Sequence, residues 1–266
     1  MKNLVLTLFL AFGMTLMAQT EVADSAAASS RCSQPFSVGP TTQVYFSPGN
    51  LQYQPSTHLC RFAASQTEVL GWKPFNANDR YKGWIDLFGW GTATNPTNYS
   101  DNPDDYTFID WGFVCGLPTG SGKMWRTLTL DEWVYLLSKR PHARRLYAVA
   151  YVDKHYGLIL LPDNWKWPKG TWLKTGPKED QPNWVSAEKW ALLEAAGAVF
   201  LPSETKRLGT EAQGSASQCH YWTASPSKKN ADEAAYLLVD AYCPQGRTAI
   251  KALGMSVRLV QEPFDE

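Results

Sequence analysis

The chain has 266 residues with 25 basic and 25 acidic side chains, so its formal net charge is zero. That balance excludes the basic excess of a nucleic-acid surface and the acidic run of a disordered tail. A hydrophobic fraction of 44% is ample for a core, and twelve Trp with twelve Tyr give the chain an aromatic bias. Those rings belong mostly in a core of short strands and long loops, or, on the sharper reading, some of them line a ligand surface.

The N-terminus carries a targeting pattern. Lys2 supplies the positive region, residues 4–12 the apolar region, and Leu16-Met17-Ala18 the cleavage tripeptide, so residues 1–18 read as a signal peptide. The apolar stretch is too short for a membrane span, and no later stretch resembles one. The mature chain is therefore expected to be exported, to the periplasm, the outer surface or the medium. Residues 19–35 are rich in Ala and Ser and read as a flexible lead. Residues 36–261 show no repeat and no internal boundary, and read as one domain.

Structure is expected to begin at Phe36. Residues 43–46 and 51–53 read as two strands joined by the turn S-P-G-N into a hairpin, followed by a strand at 59–63. Residues 71–124 are too long for a bare connection and read as an ordered insertion pinned by Trp84, Phe88, Trp90 and Trp111. Thr129 with Glu132 forms a capping box for a helix that ends near Arg140, before Pro141, with Trp133, Leu136 and Leu137 on one face. A second hairpin spans 145–152 and 157–161. Ser186 caps a helix over 187–196 that Gly197 stops, and 198–201 is a strand ending at Pro202. The last third reads as a closing meander of strands at 221–225, 234–242 and 256–260, with Pro244, Gly246 and Gly254 marking a turn region between the last two.

Export makes disulfides available to the five cysteines, and the odd count leaves one of them unpaired or bonded to another chain. Cys219 and Cys243 flank the meander, and a bridge between them would clip it, contributing about 3 kcal/mol for a loop of that size. Cys32 with Cys60 is the next pairing, leaving Cys115 free. No Cys/His spacing suggests zinc.

Three stretches in this order, W-R-T-L-T-L-D-E-W at 125–133, A-G-A-V-F-L-P at 196–202 and Y-W-T-A-S to S-V-R-L-V over 221–260, resemble the Fibrobacter succinogenes major paralogous domain family. F-S-P-G-N-L-Q-Y at 46–53 and G-W-I-D-L-F-G-W-G at 83–91 fit the form of it common in gut and oral Bacteroidetes. The resemblance spans nearly all of 36–261. It implies an α+β, C-type-lectin-like fold: short antiparallel sheets, two helices, long aromatic-rich loops and chain ends that lie close together. Formylglycine-generating enzymes and the variable proteins of diversity-generating retroelements share that fold.

The enzymes of that group need a closely spaced pair of reactive cysteines near the C-terminus. Cys219 and Cys243 are far apart, and His220 beside Cys219 on a strand points to the other face, so no enzymatic activity is expected. Q-P-N at 181–183 and D-N-W at 163–165 bring oxygen ligands suited to calcium. They lack the acid and the order of a lectin calcium site and read as turn formers. No cofactor is therefore expected, with calcium as the alternative. G-S-G-K at 120–123 lacks the spacing of a phosphate loop, and no G-x-S-x-G elbow occurs. Asp131 and Glu132 belong to a helix start, and Arg258 reads as a structural ion pair or hydrogen-bond donor. By resemblance to the variable proteins, the segment before the last strand would carry the binding face through Asp240, Tyr242, Gln245, Arg247 and Lys251. The expected function is an exported, non-enzymatic binding module of the cell envelope or surface that recognises glycan or protein, not nucleic acid. The alternatives are a structural or adhesive subunit and, third, a formylglycine-generating-type enzyme.

Overall fold

A computed structural model describes residues 32–71, 77–117, 123–177, 182–214, 217–240 and 244–263. The expected signal peptide and nearly all of the lead lie outside them, as do Gln181, Tyr242 and Cys243. In chain order the elements are β1 (Phe36–Ser37), β2 (Gln43–Phe46), β3 (Leu51–Gln54), β4 (Leu59–Phe62), α1 (Trp111–Val114), β5 (Arg126–Thr127), α2 (Leu130–Val134, continued by a π turn over Tyr135–Lys139), β6 (Tyr147–Val152), β7 (His155–Leu160), β8 (Asn183–Val185), α3 (Ala187–Ala195), β9 (Val199–Pro202), β10 (Lys206–Leu208), β11 (Glu211–Gln213), β12 (Cys219–Pro226), β13 (Glu233–Val239), β14 (Pro244–Ile250) and β15 (Leu259–Gln261). They make an α+β fold of mostly short antiparallel sheets with few helices.

The centre is the sheet β8-β6-β7-β9. The strands β6, β7 and β9 are almost continuously apolar because both of their faces are covered. Val149, Leu158, Leu160, Val199 and Leu201 point into one cluster with α2 and the N-terminal strands. Ala148, Ala150, Ile159 and Phe200 point into another beneath α3, with Trp190 and Leu193. Gly157 is required here, since a Cβ would overlap the carbonyl of Leu201 and the ring of Phe200.

A second sheet, β1-β2-β15-β5, joins the two ends of the domain: Val260 pairs with Phe46 on one side and Arg126 on the other. The chain then steps from β2 to β3 alongside the last strand, with Ser47 N–H donating to Leu259 O and Leu51 N–H to Val257 O, both at 2.9 Å. This corrects the first expected hairpin. S-P-G-N is a crossover between sheets, β2 pairs with β1 and β15, and β3 pairs with β4.

The aromatic insertion is ordered as expected where it is described. Phe88 and Trp111 are fully buried and Trp90 nearly so. They pack with Trp125 and Trp222 in a third cluster, and the indole N–H groups of Trp90 and Trp222 donate to Thr223 O and Phe88 O, both at 2.8 Å. Arg207 ties the insertion down by lying 4.0 Å over the Tyr99 ring and donating to Asn98 O and Leu87 O.

Both main helices start where the sequence puts them. Thr129 and Glu132 make the full reciprocal capping box, and Ser186 Oγ accepts from Lys189 N at 3.3 Å. Gly197, at φ +101°, ends α3 in a conformation that a side chain would strain. The β6–β7 hairpin and β9 match their expected positions.

The closing meander is corrected in two ways. The polar stretch expected as a turn contains β14, which pairs with β13 from Val239↔Pro244 to Glu233↔Ile250. Pro244 is tolerated because it is the first residue of an edge strand, where its missing N–H breaks no ladder bond. The expected third strand leaves this sheet: β15 belongs to the N-terminal sheet, and Ser256, ahead of it, meets β12 through an isolated bridge to Tyr221.

The disulfides are corrected as well. Cys60 bonds Cys115, clipping the aromatic insertion to β4. Cys32 and Cys219 are free, so neither the Cys219–Cys243 bridge nor the Cys32–Cys60 bridge forms. Cys219 faces the core among Val199, Leu201 and Val239, where its Sγ contacts Leu201 O at 3.4 Å.

Candidate functional site

The last sheet, β12-β13-β14, has β14 as an edge. A groove of about 410 Å³ runs between this sheet, the β12–β13 hairpin and the start of α2. Gly246 makes the close approach possible, because a Cβ there would stand 2.5 Å from Leu130 Cδ1. Leu130 N–H in turn donates to Ser225 Oγ at 3.0 Å, fixing the helix start to β12. The hairpin loop is held by Ser227 Oγ, which accepts from Lys229 N and Asn230 N at 3.3 Å. The walls therefore carry hydroxyls from Ser225, Ser227 and Thr248 and cations from Lys228, Lys229 and Arg247, against the single acid Asp131. The volume falls in the range of small-ligand sites.

Of the four described residues expected on the binding face, only Arg247 lines this groove. Gln245 Nε2 donates to Asp240 Oδ2 at 2.8 Å, so these two side chains hold each other, and Asp240 O accepts from Tyr156 OH at 2.8 Å. Lys251 lies beyond the strand with its Nζ 5.5 Å from the Trp90 ring. Tyr242 is outside the described residues. The four described residues do not converge: Asp240 follows the end of β13, Gln245 and Arg247 lie two apart on β14, and Lys251 lies past its end. Lys228 and Lys229 are the groove residues that sequence reasoning missed. Their signal is S-P-S-K-K-N at 225–230, a polar turn between two apolar strands.

The other chemical candidates are consumed by the fold. Asp163 accepts from Ser37 N, Ser37 Oγ, Gln43 Nε2 and Arg140 Nη1. Asn183 exchanges two 2.9 Å bonds with the Lys174 backbone and donates to Val149 O. Among the described residues no group of three or more His, Cys, Asp or Glu could hold a metal. Glu132 is gripped by Arg126 through two bonds of 3.0 and 2.7 Å. Burial pushes its carboxyl up, but Arg126 and the Thr129 N–H outweigh that and hold it below the ordinary value. Arg258 is a fully buried hydrogen-bond donor, with Nη2 2.7 Å from Gln66 Oε1. Burial pushes the Cys219 thiol well up. Burial and the Lys206 charge push His220 down to about 4, and His220 Nδ1 contacts Glu204 O at 3.3 Å.

No protein-family model, no curated protein and no solved structure matches this chain. Among the described residues no helix is long and apolar enough to cross a membrane.

Proposed function

We propose that this chain is an exported, non-enzymatic binding module of the cell envelope or surface, built on a C-type-lectin-like scaffold, and that it recognises acidic glycans through the groove between α2 and the last sheet. The groove carries the reading. Its hydroxyls suit sugar hydroxyls, and its Lys228, Lys229 and Arg247 suit a carboxylate or sulfate. The scaffold reading draws on the family resemblance, the short antiparallel sheets and the pairing of the two chain ends through β2 and β15. A binding role rather than a catalytic one is supported by the burial of Cys219 and His220, which removes a ready thiolate and a ready imidazole base from the surface. Calcium is not required by this mechanism.

The test is binding of the mature chain to an array of acidic and neutral glycans, in calcium and again in chelator, with K228E/K229E alongside. The expected result is binding to acidic glycans that survives chelation, weakens as salt rises and disappears in the variant. Acidic-glycan binding that the variant retains would refute the groove. The open edge of β14 favours a second reading, an adhesive subunit that pairs with another chain by strand addition. Self-association on gel filtration, with no glycan bound, would support it instead.

A further inference from the structure

A different part of the surface carries an independent site. The segment T-W-L-K at 171–174 and the strand β8, N-W-V, run side by side. Asn183 clamps them together through its bonds to the Lys174 backbone. Leu173 and Val185 are buried beneath α3 at 2% and 3% exposure, which throws their neighbours outward. Trp172 and Trp184 are consequently 66% and 68% exposed, the opposite of the usual fate of a tryptophan.

The Trp184 ring and the Trp172 backbone are both held in place. Trp184 stacks on Tyr151 with centroids 4.5 Å apart and planes 13° from parallel, and Tyr151 meets the edge of Tyr156 at 5.3 Å. Trp172 is anchored through its carbonyl, which accepts from Lys189 Nζ at 3.1 Å, and by Thr171, whose N–H and hydroxyl both donate to Pro168 O. The two rings flank a cleft of about 360 Å³ that also takes in Lys174 and Lys189.

We propose that this cleft is a second ligand site, which binds a pyranose glycan by stacking the apolar C–H face of its rings on Trp172 and Trp184. The proposal does not rest on the acidic-glycan groove. A pyranose ring is apolar on its faces and polar round its rim. It therefore fits exposed aromatic faces with polar groups beside them, with Lys174 and Lys189 meeting the rim hydroxyls. The Trp184 ring, already stacked on Tyr151, also lowers the ordering cost of binding. A protein partner would be better matched by a patch whose centre is depleted in charge, and here two lysines line the cleft together with the tryptophans.

The experiment is affinity electrophoresis of the full mature chain through neutral polysaccharides: β-1,4-glucan, α-1,4-glucan, β-1,4-mannan and xylan. W172A, W184A, W172A/W184A and K228E/K229E are run alongside, and a proline-rich peptide serves as competitor. At least one polysaccharide is expected to retard the wild type. Each single Trp variant should weaken that retardation at least about tenfold, the double variant should abolish it, and K228E/K229E should leave it intact. Both rings are exposed, so the variants are expected to keep the wild-type circular dichroism and melting temperature. Absence of retardation by every polysaccharide overturns the proposal, as does retardation that W172A/W184A retains. Displacement of bound polysaccharide by the peptide alone, with no tryptophan dependence of sugar binding, overturns it in favour of a peptide groove.

Discussion

Replacing Glu204 by Gln should change how stability responds to pH. Asp86 is fully buried and Glu204 is 5% exposed, and the charges that act on them are carboxylates: that of Asp86 on Glu204, and that of Glu68 on Asp86. Leu70 N–H donates to Asp86 Oδ2 at 2.7 Å. Burial, and after it the Glu68 charge, push Asp86 up from 3.8 to about 7 although hydrogen bonds from Leu70 N–H and the Glu204 carboxyl oppose the rise, and burial and then the Asp86 charge push Glu204 well above its ordinary value. Between the unfolded values near 4 and these raised ones, the folded chain holds protons that the unfolded chain has lost. Stability from the pair is therefore fully present below about pH 4 and drains away as pH rises through 7. Each proton so held contributes a slope of about 1.4 kcal/mol per pH unit. E204Q deletes one titrating group, and its amide can take over the hydrogen bond that the Glu204 carboxyl makes to Asp86. Urea denaturation at pH 5, 6 and 7 should show the wild type losing stability with pH relative to E204Q, by roughly 3 kcal/mol over the two units. Parallel wild-type and E204Q curves would refute the shared-proton reasoning.

Two further outcomes test the framework. Cys60 and Cys115 are 55 positions apart, so C60S/C115S should lose about 4 kcal/mol by the loop-closure argument; peptide mapping should recover Cys60–Cys115, with Cys219 unalkylated until the chain is denatured. Arg140 is buried and donates to Leu136 O, Leu146 O and Asp163, so R140A should cost about 3 kcal/mol in the denaturant midpoint. A loss under about 1 kcal/mol would show that water satisfies those carbonyls instead.

The features that were legible in the sequence are those whose partners are near neighbours. The capping box of Thr129 and Glu132, the Ser186 cap with the Gly197 stop, and the β6–β7 hairpin are all decided within a few residues by backbone geometry and hydrogen-bond reach. Six of the eleven described tryptophans also go where their size predicts: Trp90, Trp111, Trp125, Trp133, Trp190 and Trp222 are buried. The groove itself was not legible, because its walls come from segments far apart in sequence: Leu130 and Asp131 start α2, while Lys228 and Lys229 lie in the β12–β13 hairpin. Of the described residues inferred for the binding face, Arg247 shares that groove with Lys228 and Lys229.

Composition and local pattern by themselves determined an aromatic-rich α+β chain with two capped helices and short strands. Tertiary structure decided which strands pair, since β2 and β3 look like a hairpin in isolation but each finds a better-matched edge, β2 on β15 and β3 on β4. It decided the disulfide, because Cys219 is turned into the core while Cys60 and Cys115 are brought to a Cα separation of 5.4 Å. It also decided the fate of Trp172 and Trp184. A tryptophan's own chemistry favours burial, and these two are outside because Leu173 and Val185 occupy the space beneath α3, and the pleat allows only one of two neighbours inside.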